Sequence, residues 1–405
     1  MSFSSNKEQN YDVVIIGGGI VGLTTAYSIL KNFSNKKLLI IEKEKQLGYH
    51  QTSHNSGVIH SGIYYKPKSL KAINCRNGIK LLKSFCDHYS IKYEICGKLI
   101  IAKNINELSS LNYLKIRGEK NGIKGLKIIP KNRIAYYEPY VKAESALYCP
   151  ETGIIDYNDV TQVLSKIINP SRILLNHKVI KLVERKNEII IQAKDKEIKT
   201  KFIINCAGLF SDFIAKLSEM RLNSKIIPFR GEYYLLNKEA RSFVKNLVYP
   251  VPNPSYPFLG VHFTRSIHGH IEAGPNAVLA FAREGYNKYD INILDMFDYL
   301  SYPGFWKMAS KYWPIAISEY KRSFSKSSFL NSLREIIPII KNEHISSSPA
   351  GVRAQALGEN GDLLDDFQIK QSNNMIHVIN APSPAATSSF SIGNFLKDLY
   401  IKIDR

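Results

Sequence analysis

The sequence is poor in cysteine. It has five, Cys75, Cys86, Cys96, Cys149 and Cys206, with no C-x-x-C pair among them. An odd, scattered set argues against structural zinc and a disulfide framework, and points to reduced thiols in a cytoplasmic setting. No uninterrupted apolar run is long enough to span a bilayer. The nearest, residues 13–30, is broken by consecutive glycines that fit neither a signal peptide nor a transmembrane helix. Internal repeats, low-complexity linkers, zinc-finger spacing and RNP-like motifs are missing too. The formal charge of +20 therefore has no nucleic-acid motif beside it, and no nucleic-acid partner is expected. Such a charge fits attraction to anionic substrates or anionic lipid, or plain lysine usage on solvated faces.

What is present is a dinucleotide fingerprint. Tyr11 to Ile16 reads as a buried strand and runs into Gly17-Gly18-Gly19-Ile20-Val21-Gly22, followed by a helical segment from Leu23 to Leu30. A second apolar strand, Lys37 to Ile41, ends on Glu42, twenty residues past Gly22. The order of strand, glycines, helix, strand and acid is the context that gives the motif its meaning. Gly17 permits the tight turn, Gly19 lets the backbone approach a pyrophosphate, and Gly22 lets helix and strand pack closely. The helix N-terminus offers unpaired N–H groups to phosphate, and Glu42 would accept hydrogen bonds from a ribose. The fingerprint alone does not choose between NAD and FAD.

At 405 residues the chain has room for two domains. Strands are expected at 173–183, 188–193, 201–208 and 375–380, and helices at 69–89, 105–122 and 388–401. Residues 226–285, rich in aromatic and β-branched residues with Pro and Gly breaks, suggest an antiparallel sheet. Residues 291–342 read as helices. Nucleotide-type segments at the start, middle and end imply an α/β fold: a discontinuous Rossmann-like domain (1–90, 151–222, 347–405) with an inserted α+β substrate domain (91–150, 223–346).

Several longer segments carry a resemblance. Asn205-Cys206-Ala207-Gly208 at a strand end and the C-terminal strand–turn–helix resemble the FAD-dependent D-amino-acid-oxidase superfamily. Within it, the run from His50 to Tyr65 is similar to the L-2-hydroxyglutarate oxidase/dehydrogenase family. So are Cys96-Gly97-Lys98-Leu99, Arg230 to Tyr234, Leu259 to Arg265, Gly274 to Ala277, Ala350 to Gln355 and Asn380 to Thr387. The resemblance implies FAD, oxidation of L-2-hydroxyglutarate to 2-oxoglutarate, and delivery of electrons to oxygen or a membrane quinone. It also implies that Thr52, Ser53, Asn55, Ser56 and Gly57 line the pyrophosphate and flavin. Ala207 and Gly208 would pack against the nucleotide, and Val179 would contact adenine through its backbone. His54-Asn55-Ser56-Gly57 resembles the flavin-linked histidine of related amine dehydrogenases, but non-covalent FAD is expected.

The residues make chemical sense beside that likeness. In Pro382 to Thr387, prolines and small residues (Ser383, Ala385, Ala386, Thr387) leave the N–H groups of the last helix free to converge on a reduced, negatively charged flavin. Oxidation of a hydroxyacid needs a carboxylate anchor and a base for the hydroxyl proton. Arginine grips carboxylate with a planar fork, so Arg353 is the first-choice anchor, with Arg230 and Arg265 as candidates for the distal carboxylate. His60 or His262 is the candidate base, and Tyr64, Tyr233 and Gln355 would orient substrate. No metal ligand set is expected.

Two rival functions share some of these features: an amine oxidase of the glycine or sarcosine type, and a basic RNA-associated flavoprotein. The segment from Phe297 to Phe329 carries both tryptophans among lysines. That pattern suits weak, salt-reversible contact with the inner face of a membrane, or else packing in an interdomain core.

Overall fold

The computed structural model describes residues 10–253 and 256–403. Its opening strand, Asn10–Ile16, sends Val13 and Ile15 into one apolar core and Val14 and Ile16 into another. Burial on both faces is what a central strand of a parallel sheet requires. The strand pairs in parallel with Leu38–Ile41 on one side and Lys196–Asn205 on the other, within an eight-stranded sheet. Lys196–Asn205 is shared between partners: its start pairs antiparallel with Ile189–Ala193, and Ile203 to Asn205 pair in parallel with Met375–Asn380.

Helices Ile20–Asn32, Leu70–His88, Tyr157–Ile168 and Ala385–Ile403 contribute to the core on one face. Close approach sets their arrangement. A Cβ at Gly78 would sit 2.6 Å from Ser388 Cα, and one at Gly393 2.6 Å from the Thr24 carbonyl oxygen. The C-terminal helix is thereby wedged against the helices Leu70–His88 and Ile20–Asn32. The helix Leu70–His88 starts where it does because Ser69 accepts the Ala72 N–H, and Asp366 accepts those of Leu70 and Lys71.

The second sheet has nine strands and is built on Ser224–Leu236, paired antiparallel with Ile345–Gly358 from Ser224↔Gly358 to Leu236↔Ile345. It continues through Ile271–Gly274, His262–Arg265, Leu247–Pro250, Lys98–Ala102, Ser145–Cys149 and Lys127–Pro130. The pairings are antiparallel except that Leu247–Pro250 runs parallel to Lys98–Ala102. The strand Ile345–Gly358 carries this sheet past residue 346, where the sequence pattern places the return to the nucleotide domain. The strand's Ser, Pro, Ala and Gly carry little intrinsic strand preference, and the pairing with Ser224–Leu236 supplies it.

The helices Ile293–Leu300, Pro303–Phe324 and Lys326–Arg334 pack only part of their surface. Tyr299, Phe305 and Met308 meet Ile227, Phe229 and Leu357, and Phe329, Leu330 and Leu333 fill a neighbouring core. Four further rings do not fill an interdomain core: Phe297 is 73 %, Trp306 60 %, Trp313 60 % and Phe324 64 % exposed. No helix among the described residues is long and apolar enough to cross a membrane.

Buried charge joins the two sheets' domains. Arg283 grips Asp212 through both nitrogens (2.6 and 2.9 Å) and reaches Asp298 at 2.8 Å. At the cleft mouth the Lys43 ammonium is ion-paired with Glu44 and Glu284, and His50 bonds the same carboxylates. Glu44, His50 and Glu284 lie close enough to share a cation, but the lysine already supplies the positive charge.

Candidate active site

The three fingerprint glycines are required for different reasons. Gly17 has φ +109°, and a Cβ there would collide with the Cys206 carbonyl. A Cβ on Gly22 would overlap the Gly17 carbonyl, so strand and helix close on each other only without a side chain. Gly19 caps the helix Ile20–Asn32, and a Cβ there would meet only Thr52 Oγ1, at 3.4 Å. The space in front of Gly19 is cavity. That cavity has a volume of about 770 Å³, within the range of small-molecule and cofactor sites.

One end of the cavity is lined by Gly17, Gly19, Glu42, Val179, Ala207 and Gly208. Glu42 is fixed at its strand end by accepting the Gly18 N–H at 2.8 Å and the Glu44 N–H at 2.9 Å. Asn205 organises the opposite turn: its Oδ1 accepts the Ala207 N–H, and its amide donates to the Ser211 carbonyl. The middle is lined by Thr52, His54, Asn55 and Ser56. Thr52 Oγ1 accepts the Ile20 N–H at 3.0 Å, which ties this segment across the start of the fingerprint helix. Ser53 and Gly57, grouped with it in the sequence, are elsewhere. The Ser53 hydroxyl is spent on the Gly48 carbonyl and Asn158, and Gly57 (φ +62°) backs onto the Ile155 carbonyl. His54 Nδ1 lies 3.0 Å from the His50 carbonyl, and its ring rests on Tyr286 at 4.4 Å.

The far end brings Ser383, Ala385, Ala386 and Thr387 together with His60, Tyr64, Tyr233, His262, Arg353 and Gln355. Thr387 holds the helix start in place, accepting the His60 N–H at 3.1 Å and meeting the Tyr157 hydroxyl at 2.9 Å. At the start of this helix the Ala385 N–H is taken by the Pro382 carbonyl, and Ala385, Ala386 and Thr387 line the cavity. Glycines without side chains, a carboxylate at the strand end and two helix starts that line the cavity together fit a dinucleotide bearing a flavin.

Both candidate bases are neutral. Burial, then the charges of Lys98, His262 and Lys71, push His60 down to about 3. Burial also takes His262 down to about 3, with Lys98 and Arg353 adding to it. His262 Nδ1 lies 2.8 Å from the Gly260 carbonyl, an acceptor, so Nδ1 carries the proton and Nε2 keeps a lone pair. His60 Nδ1 is buried without a partner, and its Nε2 lies 3.3 Å from Ser383 Oγ. Arg353 stands over the Phe258 ring at 5.2 Å, with its Nη1 buried and unpartnered. Tyr64 Oη is unpartnered as well.

Arg230 and Arg265 do not join them. Arg230 is fully buried, held by Glu232 (3.1 Å) and the Asn287 carbonyl, and Arg265 pairs with Glu94 at 2.5 Å. Neither lines the cavity, so neither is placed to meet a distal carboxylate. Sequence reasoning missed Tyr249, whose ring stacks on His262 at 3.9 Å, and Phe258 beneath Arg353.

A family model described as FAD dependent oxidoreductase matches residues 12–399. An L-2-hydroxyglutarate dehydrogenase from Indibacter alkaliphilus is 48 % identical over 396 residues, covering 97 % of this chain and 99 % of that protein. The Escherichia coli protein of the same name is 39 % identical over 386 residues, covering 95 % of this chain and 91 % of that one. Among solved structures, the FAD-bound L-alpha-glycerophosphate oxidase from Mycoplasma pneumoniae superposes with a TM-score of 0.79 at 21 % identity. The match covers 97 % of this chain and 95 % of that one.

Proposed function

This chain belongs to the FAD dependent oxidoreductase family, and from that premise we propose that its cavity oxidises L-2-hydroxyglutarate to 2-oxoglutarate. The observation that carries the reading is Arg353: a cavity-lining guanidinium with a buried, unpartnered nitrogen, beside two neutral histidines. FAD, when bound, supplies the acceptor for the hydride that leaves C2. Gly17, Gly19, Glu42 and Thr52 would hold its nucleotide half, and the helix start at Ala385 to Thr387 would face its flavin.

The chain's own residues account for the rest. Arg353 pairs with a substrate carboxylate and so turns the single C2 hydrogen towards the acceptor. His262, through Nε2, or His60 takes the hydroxyl proton. Each is a weak base in the empty site because burial and nearby cations oppose its protonated form. Two arriving carboxylates offset that field and raise the affinity of both histidines for a proton. The base thus strengthens when a dianionic substrate is in place. The amine-oxidase and RNA-associated readings are not favoured, since the near-full-length relatives are named for the hydroxyacid. Incubation with an artificial electron acceptor tests the reading. L-2-hydroxyglutarate should give one 2-oxoglutarate per two electrons, with sarcosine and glycine inactive; turnover of sarcosine with release of an amine would overturn it.

The exposed rings of Pro303–Phe324 and Ile293–Leu300 favour a second feature, peripheral binding to an anionic lipid surface. Trp306, Trp313 and Phe324 stand among Lys307, Lys311 and Lys321, a mixture suited to headgroups. Such binding would bring the flavin's electrons to a membrane quinone. Co-sedimentation with anionic vesicles at low salt, lost at high salt or on replacing Trp306 and Trp313 by Ser, is the expected result. Protein that stays in the supernatant at low salt would end the membrane reading.

A further inference from the structure

Lys98 is a deeply buried charged group near the site, at 1 % exposure. It opens the strand Lys98–Ala102, opposite Cys149 in the antiparallel register. Its Nζ lies 4.5 Å from the ring centroid of Tyr64 and 4.5 Å from that of Tyr249. Aromatic faces offset part of the cost of burying an ammonium but do not neutralise it. Among the described residues, its electrostatic neighbours are the Cys149 and Cys75 thiols, with no carboxylate. A buried cation without an anion is expensive, and an anion arriving from outside relieves it.

Lys98 does not line the cavity, but Tyr64, Tyr249, His60 and His262 do. The two tyrosines come from different parts of the chain, the segment after Val58–Ile59 and the strand Leu247–Pro250. The lysine therefore clamps one wall of the site from behind. We propose that Lys98 is a positioning residue: held between Tyr64 and Tyr249, it fixes both rings and maintains a positive field that favours a dicarboxylate. This rests on the functional reading above and deepens it.

The groups facing Lys98 are Tyr64, Tyr249, Cys149 on Ser145–Cys149 and Cys75 on Leu70–His88, with His60 and His262 acting across the cavity. Lys71 and Arg353 add to the field at His60 and His262 respectively. Burial brings the Lys98 ammonium down to about 8. The charge is present below that pH and lost above it, and affinity for a dianion should follow.

The test uses FAD-loaded full chains of wild type, Lys98→Met and Lys98→Arg. Two quantities are read across pH: the dissociation constant of glutarate, a dicarboxylate with no hydroxyl to oxidise, from its perturbation of the flavin spectrum, and kcat/KM for L-2-hydroxyglutarate. In the wild type, glutarate affinity should fall as pH rises through about 8. In Lys98→Met that limb should vanish, neutral-pH affinity should drop about tenfold or more, and the acidic limb of kcat/KM should move to higher pH. Lys98→Arg should recover affinity and move the alkaline limb out of range, because a guanidinium does not titrate there. A wild type with no alkaline limb, or a folded Lys98→Met with wild-type affinity and limbs, overturns the proposal, and the wild-type arm stands even if Lys98→Met does not fold. Failure of L-2-hydroxyglutarate to reduce the wild-type flavin would instead remove the functional reading on which it rests.

Discussion

Arg353→Met separates substrate binding from folding and cofactor retention. The guanidinium makes no ion pair with another side chain among the described residues, and its Nη1 is buried without a partner. Its strand neighbour Phe229 is held through the backbone register, which the substitution leaves intact. Methionine has similar length and can keep the contact with Phe258. The fold should lose little, and thermal midpoints should agree within a few degrees. FAD should remain bound, since the residues that would hold the nucleotide lie at the other end of the cavity. What is lost is a desolvated charge pair with a substrate carboxylate, worth about 2–5 kcal/mol. That corresponds to a fall in kcat/KM of roughly 30-fold to a few thousand-fold, seen mainly as impaired saturation. Arg353→Lys should recover only part of it, because an ammonium is a point charge without the fork. Anaerobic stopped-flow reduction of the flavin over a range of L-2-hydroxyglutarate concentrations gives both the affinity and the limiting rate. Wild-type values of both in Arg353→Met would refute the assignment of Arg353 as anchor.

Three further expectations follow from the geometry. Gly19→Val should fold but lose FAD, because the protein leaves that space open, whereas Gly22→Ala should destabilise the chain itself by forcing helix from strand; a Gly19→Val protein that purifies fully loaded would remove the phosphate site. Acid precipitation should leave a colourless pellet and a yellow supernatant, and a yellow pellet would make His54 the point of attachment. Stability should fall in mild acid. His60 (about 3), His262 (about 3) and His377 (about 4) are held neutral by burial, whereas the unfolded chain takes up protons near 6.5. The unfolded state therefore binds more protons below about 6.5, and stability present above that pH is lost as pH falls towards 3. His50, where desolvation is outweighed only by the hydrogen bonds to Glu284 and Glu44 and the Glu284 charge together, works in the opposite sense. A thermal midpoint unchanged between about pH 7 and about pH 4.5 would contradict this.

The nucleotide half of the fold was legible because its signals are local. Glycines at three fixed offsets, strands buried on both faces and an acid at a strand end are properties of a short stretch of chain. The substrate half depends on long-range pairing. Ile345–Gly358 is a strand because Ser224–Leu236 lies beside it, and nothing in its Ser-Ser-Ser-Pro-Ala-Gly run announces that. Arg230 and Arg353 look equivalent as sequence, yet Glu232 neutralises one and, among the described residues, no carboxylate pairs with the other. Lys98 is marked only by its setting: a lysine opening an apolar strand, Lys98–Ala102, is buried at a position where a hydrophobic residue would cost less. The aromatic helices were ambiguous for the opposite reason, since a ring among lysines reads alike whether it faces a core or a lipid surface.

The central claim, a dicarboxylate hydroxyacid held by Arg353 beside a neutral histidine, is tested most directly by anaerobic bleaching of the wild-type flavin. L-2-hydroxyglutarate should reduce it with a second-order rate constant exceeding that for L-lactate by some 30-fold or more, since lactate lacks the second carboxylate that the buried charge of Lys98 favours. Equal rates with L-lactate, or faster reduction by glycine, would contradict the account.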